Sequence, residues 1–186
     1  DGQGGTDTAT VTITVNGVND APIAAADAVS GDEDTVITGN VLADNGSGVD
    51  SDIDGDPLTV ATTPAVDVAN GTLVLNANGT FSYTPDADFN GADSFIYTLL
   101  DGQGGTDTGT VTITVNAVND APVVADVVRA SPFEDDAAIV INLLAGASDA
   151  DGDTLSVVGL VKIAGDDKGV TVVGSALQVD PGLYDS

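Results

Sequence analysis

A chain of 186 residues with 30 acidic and 3 basic side chains carries a net charge of −27, so nucleic acid and anionic membrane surfaces are excluded as partners and membrane insertion is not expected. With no His and no Cys, the common nucleophile–base pairs and disulfide staples are also excluded, and a secreted fold would rely on metal instead. Only 4% of residues are aromatic, but 42% are hydrophobic and fall in strand-like alternation, which argues for a folded β protein over a disordered one.

Residues 1–20, DGQGGTDTATVTITVNGVND, recur at 101–120 as DGQGGTDTGTVTITVNAVND, with Ala9 against Gly109 and Gly17 against Ala117 as the two differences. A near-identical stretch at domain-sized spacing is the mark of tandem β-domains. Residues 1–17 read as the orphan last strand of a preceding repeat, because the chain starts in the middle of the pattern. Val11, Ile13 and Val15 would face a core, and Thr10, Thr12 and Thr14 would face out.

Residues 18–117 read as one complete repeat with seven strands: A at 22–29, B at 35–42, C at 58–64, D at 71–76, E at 80–85, F at 94–100 and G at 107–116. Asn78-Gly79 between D and E is a strong two-residue hairpin signal. Residues 118–186 read as an incomplete repeat lacking its last two strands. No segment holds a 3.6-residue period long enough for a helix. The pattern predicts an all-β chain of seven-stranded Greek-key, immunoglobulin-like sandwich repeats in tandem.

Strand alternation sorts the acidic loops by end. The loop after B (Asp50, Asp52, Asp54, Asp56), the loop after F (Asp101) and the incoming linker Asn19-Asp20 share one end. The turn after A (Glu33, Asp34), the corner after E (Asp86, Asp88) and the outgoing linker Asn119-Asp120 share the other. In the third repeat Asp149, Asp151 and Asp153 match Asp52, Asp54 and Asp56, and Glu134 matches Glu33; Glu33 and Glu134 are the two Glu of the chain. Stacked repeats would then bring Glu33, Asp86 and Asp88 together with Asn119, Asp120, Asp149, Asp151 and Asp153. Such a gathering is unfavourable without a cation, and Ca²⁺, which takes about six to eight oxygens in flexible geometry, fits better than Mg²⁺. An EF-hand is excluded, because its glycine position falls on Pro57 or Thr154 and its closing Glu position on Thr63 or Leu160. Asp101-Gly102 also has a plain reading as a turn.

The run Leu100-Asp101-Gly102, the strand Thr110 to Val115, and Val118-Asn119-Asp120-Ala121-Pro122 resemble the end of a cadherin repeat with its calcium-binding linker. Together with Glu33-Asp34-Thr35, the Asp52 to Asp56 loop, Asn70 to Pro85 and Leu177 to Tyr184, the chain resembles the cadherin-like and VCBS-type, bacterial Ig-like tandem repeats of large bacterial surface adhesins. The resemblance implies secretion to the cell surface, Ca²⁺ at repeat junctions, and a non-enzymatic role as structural extender or adhesion module. A carbohydrate-binding module is the alternative, with a surface glycan or protein as target. The Asp-Arg-Glu motif of cadherins is absent, so Asp86 and Asp88 take its place by position only, and Gly17 and Ala117 stand where a linker Asp is expected. Besides neighbouring repeats of the same chain, the orphan strand (residues 7–16) implies head-to-tail self-association by strand addition to the open third repeat of another copy.

Overall fold

The structure, a computed structural model, describes residues 2–4, 6–124, 130–131, 137–159 and 170–179. It divides into two units, Asp1–Asn116 and Ala117–Ser186. All regular elements among the described residues are strands.

The first unit contains β1 (Asp27–Asp32), β2 (Ile37–Asn40), β3 (Thr59–Val60), β4 (Gly71–Leu75), β5 (Thr80–Pro85), β6 (Gly91–Leu100) and β7 (Thr106–Asn116). They form one sheet in the order β1-β7-β6-β3 and a second in the order β2-β5-β4. β1 runs parallel to β7, while β7 with β6, β6 with β3, and β5 with both β2 and β4 are antiparallel. Alternation builds the interior: Gly109, Val111, Ile113 and Val115 of β7 are buried while the intervening threonines are exposed. Phe95, Tyr97 and Leu99 of β6 and Phe81 and Tyr83 of β5 join them in a single core. The Phe81 and Phe95 rings, one from each sheet, meet edge to face at 5.2 Å and 70°, the arrangement that ring quadrupoles prefer.

The β4–β5 turn follows its sequence. Gly79 takes φ 82°, Gly79 N donates to Asn76 O at 2.9 Å, and Asn78 Oδ1 accepts from Thr80 Oγ1 at 2.7 Å. Elsewhere the strand limits differ from expectation. The first strand, expected at 22–29, begins at Asp27. Pro22 has no N–H to give, and the amides of Ala24 and Ala25 donate to the carboxylates of Asp107 (2.9 Å) and Asp50 (2.7 Å) instead of to a neighbouring strand. Only Ile23 bridges, to Ser51. Strand C, expected at 58–64, shrinks to Thr59–Val60, although single bonds from Ala61 N to Thr98 O and Ala65 N to Ile96 O continue along β6. Strand F starts earlier than expected, at Gly91.

Residues 6–20 carry no strand and are exposed. Val11, Ile13 and Val15 are 80%, 82% and 88% exposed, whereas Val111, Ile113 and Val115 of the repeated stretch are 0%, 0% and 3%. The stretch has β propensity in both places, but a strand holds only where a partner supplies hydrogen bonds and an apolar face.

The second unit contains β8 (Ile139–Asn142), β9 (Val170–Val173) and β10 (Ala176–Val179), antiparallel in the order β8-β10-β9. This is the order of β2-β5-β4 in the first unit. The bridge from Val123 to Ser148 likewise repeats that from Ile23 to Ser51. Among the described residues, no helix is long and apolar enough to cross a membrane.

Candidate metal centres

The linker entering the first unit is clamped by carboxylates. Asp20 N donates to Asp54 Oδ2 at 2.8 Å. Asn19 Nδ2 donates to Asp101 Oδ2 at 2.8 Å and to Asp20 O at 3.0 Å. Asp52 shapes the loop, its Oδ1 accepting from Asp54 N at 2.8 Å and Asp56 N at 3.4 Å, while Gly55 takes the left-handed φ of 78°. Its other oxygen, Oδ2, is buried with no hydrogen-bond partner. A buried carboxylate oxygen left unpaired costs free energy, and a bound cation is one way to satisfy it.

Asp101 occupies the same end but its oxygens are taken. Oδ1 accepts from the amides of Gln103, Gly104 and Gly105 at 2.7, 2.9 and 2.9 Å, and Oδ2 from Asn19 and Gly105. The Asn19 hydrogen bond, joined by those amides against the effect of burial, holds its carboxyl below the usual value. Asp101 therefore closes the turn before β7 and orients the linker.

At the opposite end of the same unit, Glu33 is buried. Asn90 Nδ2 donates to Glu33 Oε2 at 3.3 Å, and Glu33 N donates to Asn116 O at 2.9 Å. Asp88 N donates to Asp34 Oδ1 at 3.4 Å. Asp34 and Asp88 are the two non-glycine residues with positive φ among the described residues, at 56° and 58°. Asp tolerates this region better than most residues. Asp86 sits beside them on the corner, its amide bonded to Asn70 O at 2.9 Å. The turn after β1 and the corner after β5 thus lie at one end of the sandwich.

The second unit repeats the linker–loop bonds of the first clamp. Asp120 N donates to Asp151 Oδ2 at 2.7 Å. Asp149 Oδ1 accepts from Asp151 N and Asp153 N at 3.2 Å each, and Asn119 Nδ2 donates to Asp120 O at 2.8 Å. Glu134 lies outside the described residues. Among the described residues, no three carboxylates of a single unit offer oxygens within 4.8 Å of one another.

Three further carboxylates carry structural weight, and for Asp93 and Asp27 loop position gave no sign of it. Asp93 and Asp27 are buried, and Asp50 accepts the Tyr97 hydroxyl at 2.9 Å. Asp93 alternates with Phe95 and Tyr97 on the inward face of β6. A charge in an apolar period was the available signal for it.

Two packed sheets, with a parallel first-to-last strand pair and polar loops at both ends, define the class as an immunoglobulin-like β-sandwich. A family model described as the bacterial Ig domain matches residues 19–114, and the chain belongs to that family. Residues 118–179 match a cadherin-like domain. Domains of this kind are typical of extracellular structural and adhesion proteins and are typically non-enzymatic. The chain finds no match among curated proteins. Similar solved structures include an endo-fucoidan hydrolase of glycoside hydrolase family 107 (18% identity, TM-score 0.42, covering 89% of this chain and 24% of that one). A nucleoside hydrolase-related hypothetical protein from Saccharophagus degradans, associated with carbohydrate metabolism, aligns at 15% identity and TM-score 0.34, covering 53% of this chain and 26% of that one. The titin domains z1z2 in complex with telethonin align at 11% identity and TM-score 0.27, covering 88% and 83%. The chain thus spans about a quarter of the two hydrolase-titled structures.

Proposed function

We propose that the chain is a calcium-stabilised structural extender and adhesion module of a large secreted or cell-surface bacterial protein. One observation carries the reading: the linker–loop clamp of Asp20 on Asp54, shaped by Asp52, recurs with Asp120, Asp151 and Asp149, and in the first unit the second oxygen of Asp52 is buried and unpartnered. Asn19, Asp20, Asp52, Asp54 and Asp56 would hold Ca²⁺ at one end of a repeat, with Asp101 fixing Asn19 beside them. Glu33, Asp34, Asp86 and Asp88 would hold it at the other, together with Asn119, Asp120, Asp149, Asp151 and Asp153 of the following repeat and, one repeat further on, Glu134. The oxygens are hard and anionic, the donor set Ca²⁺ requires. The ion supplies charge neutralisation and a rigid tie between successive repeats.

Of the described aromatic residues, Phe81, Tyr83, Phe95 and Tyr97 are buried and Phe89 is packed against the core, so no sugar-stacking platform favours the carbohydrate-binding alternative.

Extracellular modules bind Ca²⁺ with dissociation constants of roughly 10⁻⁴–10⁻³ M. At about 10 mM Ca²⁺ each site then adds about 1.4 to 2.7 kcal/mol to stability. Calcium titration by calorimetry should show saturable binding. Chelation should lower the melting temperature and loosen the arrangement seen by solution scattering. No heat of binding and an unchanged melting curve would refute the proposal. Glu33→Ala should weaken calcium binding more than Asp67→Ala, and equal effects would remove Glu33 from the site.

A further inference from the structure

Residues 6–16 and β7 are the same eleven-residue sequence with one exception, Ala9 in place of Gly109. That exception falls where the sheet has least room. Gly109 is buried and pairs with Tyr97 across β6–β7. A Cβ built on Gly109 would overlap Cε1, Cζ and Oη of the Tyr97 ring. The ring has nowhere to go: it is fully buried, and its hydroxyl donates to Ala25 O at 2.9 Å and to Asp50 at 2.9 Å. Moving it aside would break the hydroxyl's buried hydrogen bonds and cost Asp50 one of its donors.

We infer that the Gly109–Tyr97 contact is a strand-selection lock: it admits β7 and rejects the near-identical segment 6–16, whose partner is the sheet of another Ig-like repeat with no aromatic ring at the place of Tyr97. In tandem repeats with almost identical last strands, mispairing between repeats is the main competing structure, since register and hydrophobic pattern are the same for both. One methyl group on the strand and one ring on the sheet separate the two outcomes, a discrimination built from a clash and not from an added attraction. The exposed row Val11, Ile13 and Val15 is then the core-facing side of a strand that belongs elsewhere.

Exchange, where it occurs, takes place between molecules. Asn19 is bonded to Asp101 at the start of β7, while Asn116 ends that strand against Glu33 N at the other end. For residues 6–16 to fill the slot of β7, Asn16 would have to reach that far end. The three residues from Asn16 to Asn19 span at most about 11 Å, against roughly 36 Å for an eleven-residue strand.

The test uses the full chain at fixed calcium, so its outcome is separate from that of the metal proposal. Light scattering after size exclusion is compared for the wild type, G109A and the double variant A9G/G109A. The double variant, whose segment 6–16 now carries the glycine, should form concentration-dependent oligomers beyond any that the wild type or G109A forms through other contacts. A monomeric double variant with the melting temperature of G109A overturns the inference. Because G109A itself strains the core, a second measurement uses the wild type cooled from heat with a labelled peptide of either sequence. TDTGTVTITVN should be captured roughly 10- to 100-fold more than TDTATVTITVN; equal capture overturns the lock.

Discussion

Replacing Asp93 by alanine is expected to lower the unfolding free energy by about 3 to 5 kcal/mol, because it orphans several buried donors at once. Asp93 is 8% exposed on β6. Its oxygens accept from the amides of Ala69 (3.0 Å), Asn70 (2.8 Å) and Ser94 (2.8 Å) and from the Tyr83 hydroxyl at 3.0 Å. Tyr83 donates also to Asn70 O at 2.9 Å, so one carboxylate ties β6 to the segment before β4 and to the heart of the core. Burial alone would raise the Asp93 carboxyl, but the amides of Ala69, Asn70 and Ser94 and the Tyr83 hydroxyl outweigh it and hold the group below its ordinary value of 3.8. A carboxyl depressed by folding adds stability above the unfolded pKa and loses it as pH falls through the folded one. Asp93→Asn, which keeps the shape and some of the bonds, should therefore cost less than alanine at pH 7, and its deficit should shrink toward acid pH. Urea unfolding followed by circular dichroism checks both; a loss under about 1 kcal/mol for alanine would mean the donors find water instead.

The sequence carried the sandwich because its β signals agree across levels. Period-two alternation, the Asn78-Gly79 turn and the recurring Asp-Gly turn all pointed to short antiparallel strands, and β5 and β7 lie where those signals place them. It failed where a side chain replaced a backbone partner. Ala24 and Ala25 read as strand by composition, yet their amides go to Asp107 and Asp50. It gave both 6–16 and 106–116 a strand, the first as an orphan, since propensity is the same and only the presence of β1 and β6 decides. Among the acidic residues, position in a loop put Asp20, Asp52 and Asp54 at one end, where Asp20 N bonds Asp54 and Asp54 N bonds Asp52, and gave Asp101 an open choice between turn and metal. Its oxygens turn out to be held by the amides of its own turn and by Asn19. Asp93 and Asp27 were missed for a related reason: treating every carboxylate as a surface charge overlooks those at inward positions of a strand.

Asp27→Asn is expected to do the opposite of the Asp93 change and stabilise the protein at neutral pH. Asp27 opens β1 and is 4% exposed. Asn45 Nδ2 donates to its Oδ1 at 3.0 Å, while Oδ2 is buried with no hydrogen-bond partner. Burial, with Asp50 and Asp44 adding repulsion against the help of Asn45, pushes the carboxyl from 3.8 up to about 6. A carboxyl raised by folding favours the folded state while it is protonated, below the unfolded pKa, and that contribution is lost as pH rises through the folded value. Between pH 3.8 and about 6 the ionised group therefore takes away stability, on the order of 2 to 3 kcal/mol by the top of the window. The amide keeps the bond from Asn45 and carries no charge, and its second polar atom is no worse placed than the hydroxyl of the protonated acid. Chemical unfolding in chelator, so that ion binding does not enter, should show Asp27→Asn about 1 to 3 kcal/mol more stable than the wild type at pH 7.5. The two proteins should converge near pH 4. A gain of the same size at both pH values would mean that packing, and not the buried charge, separates them.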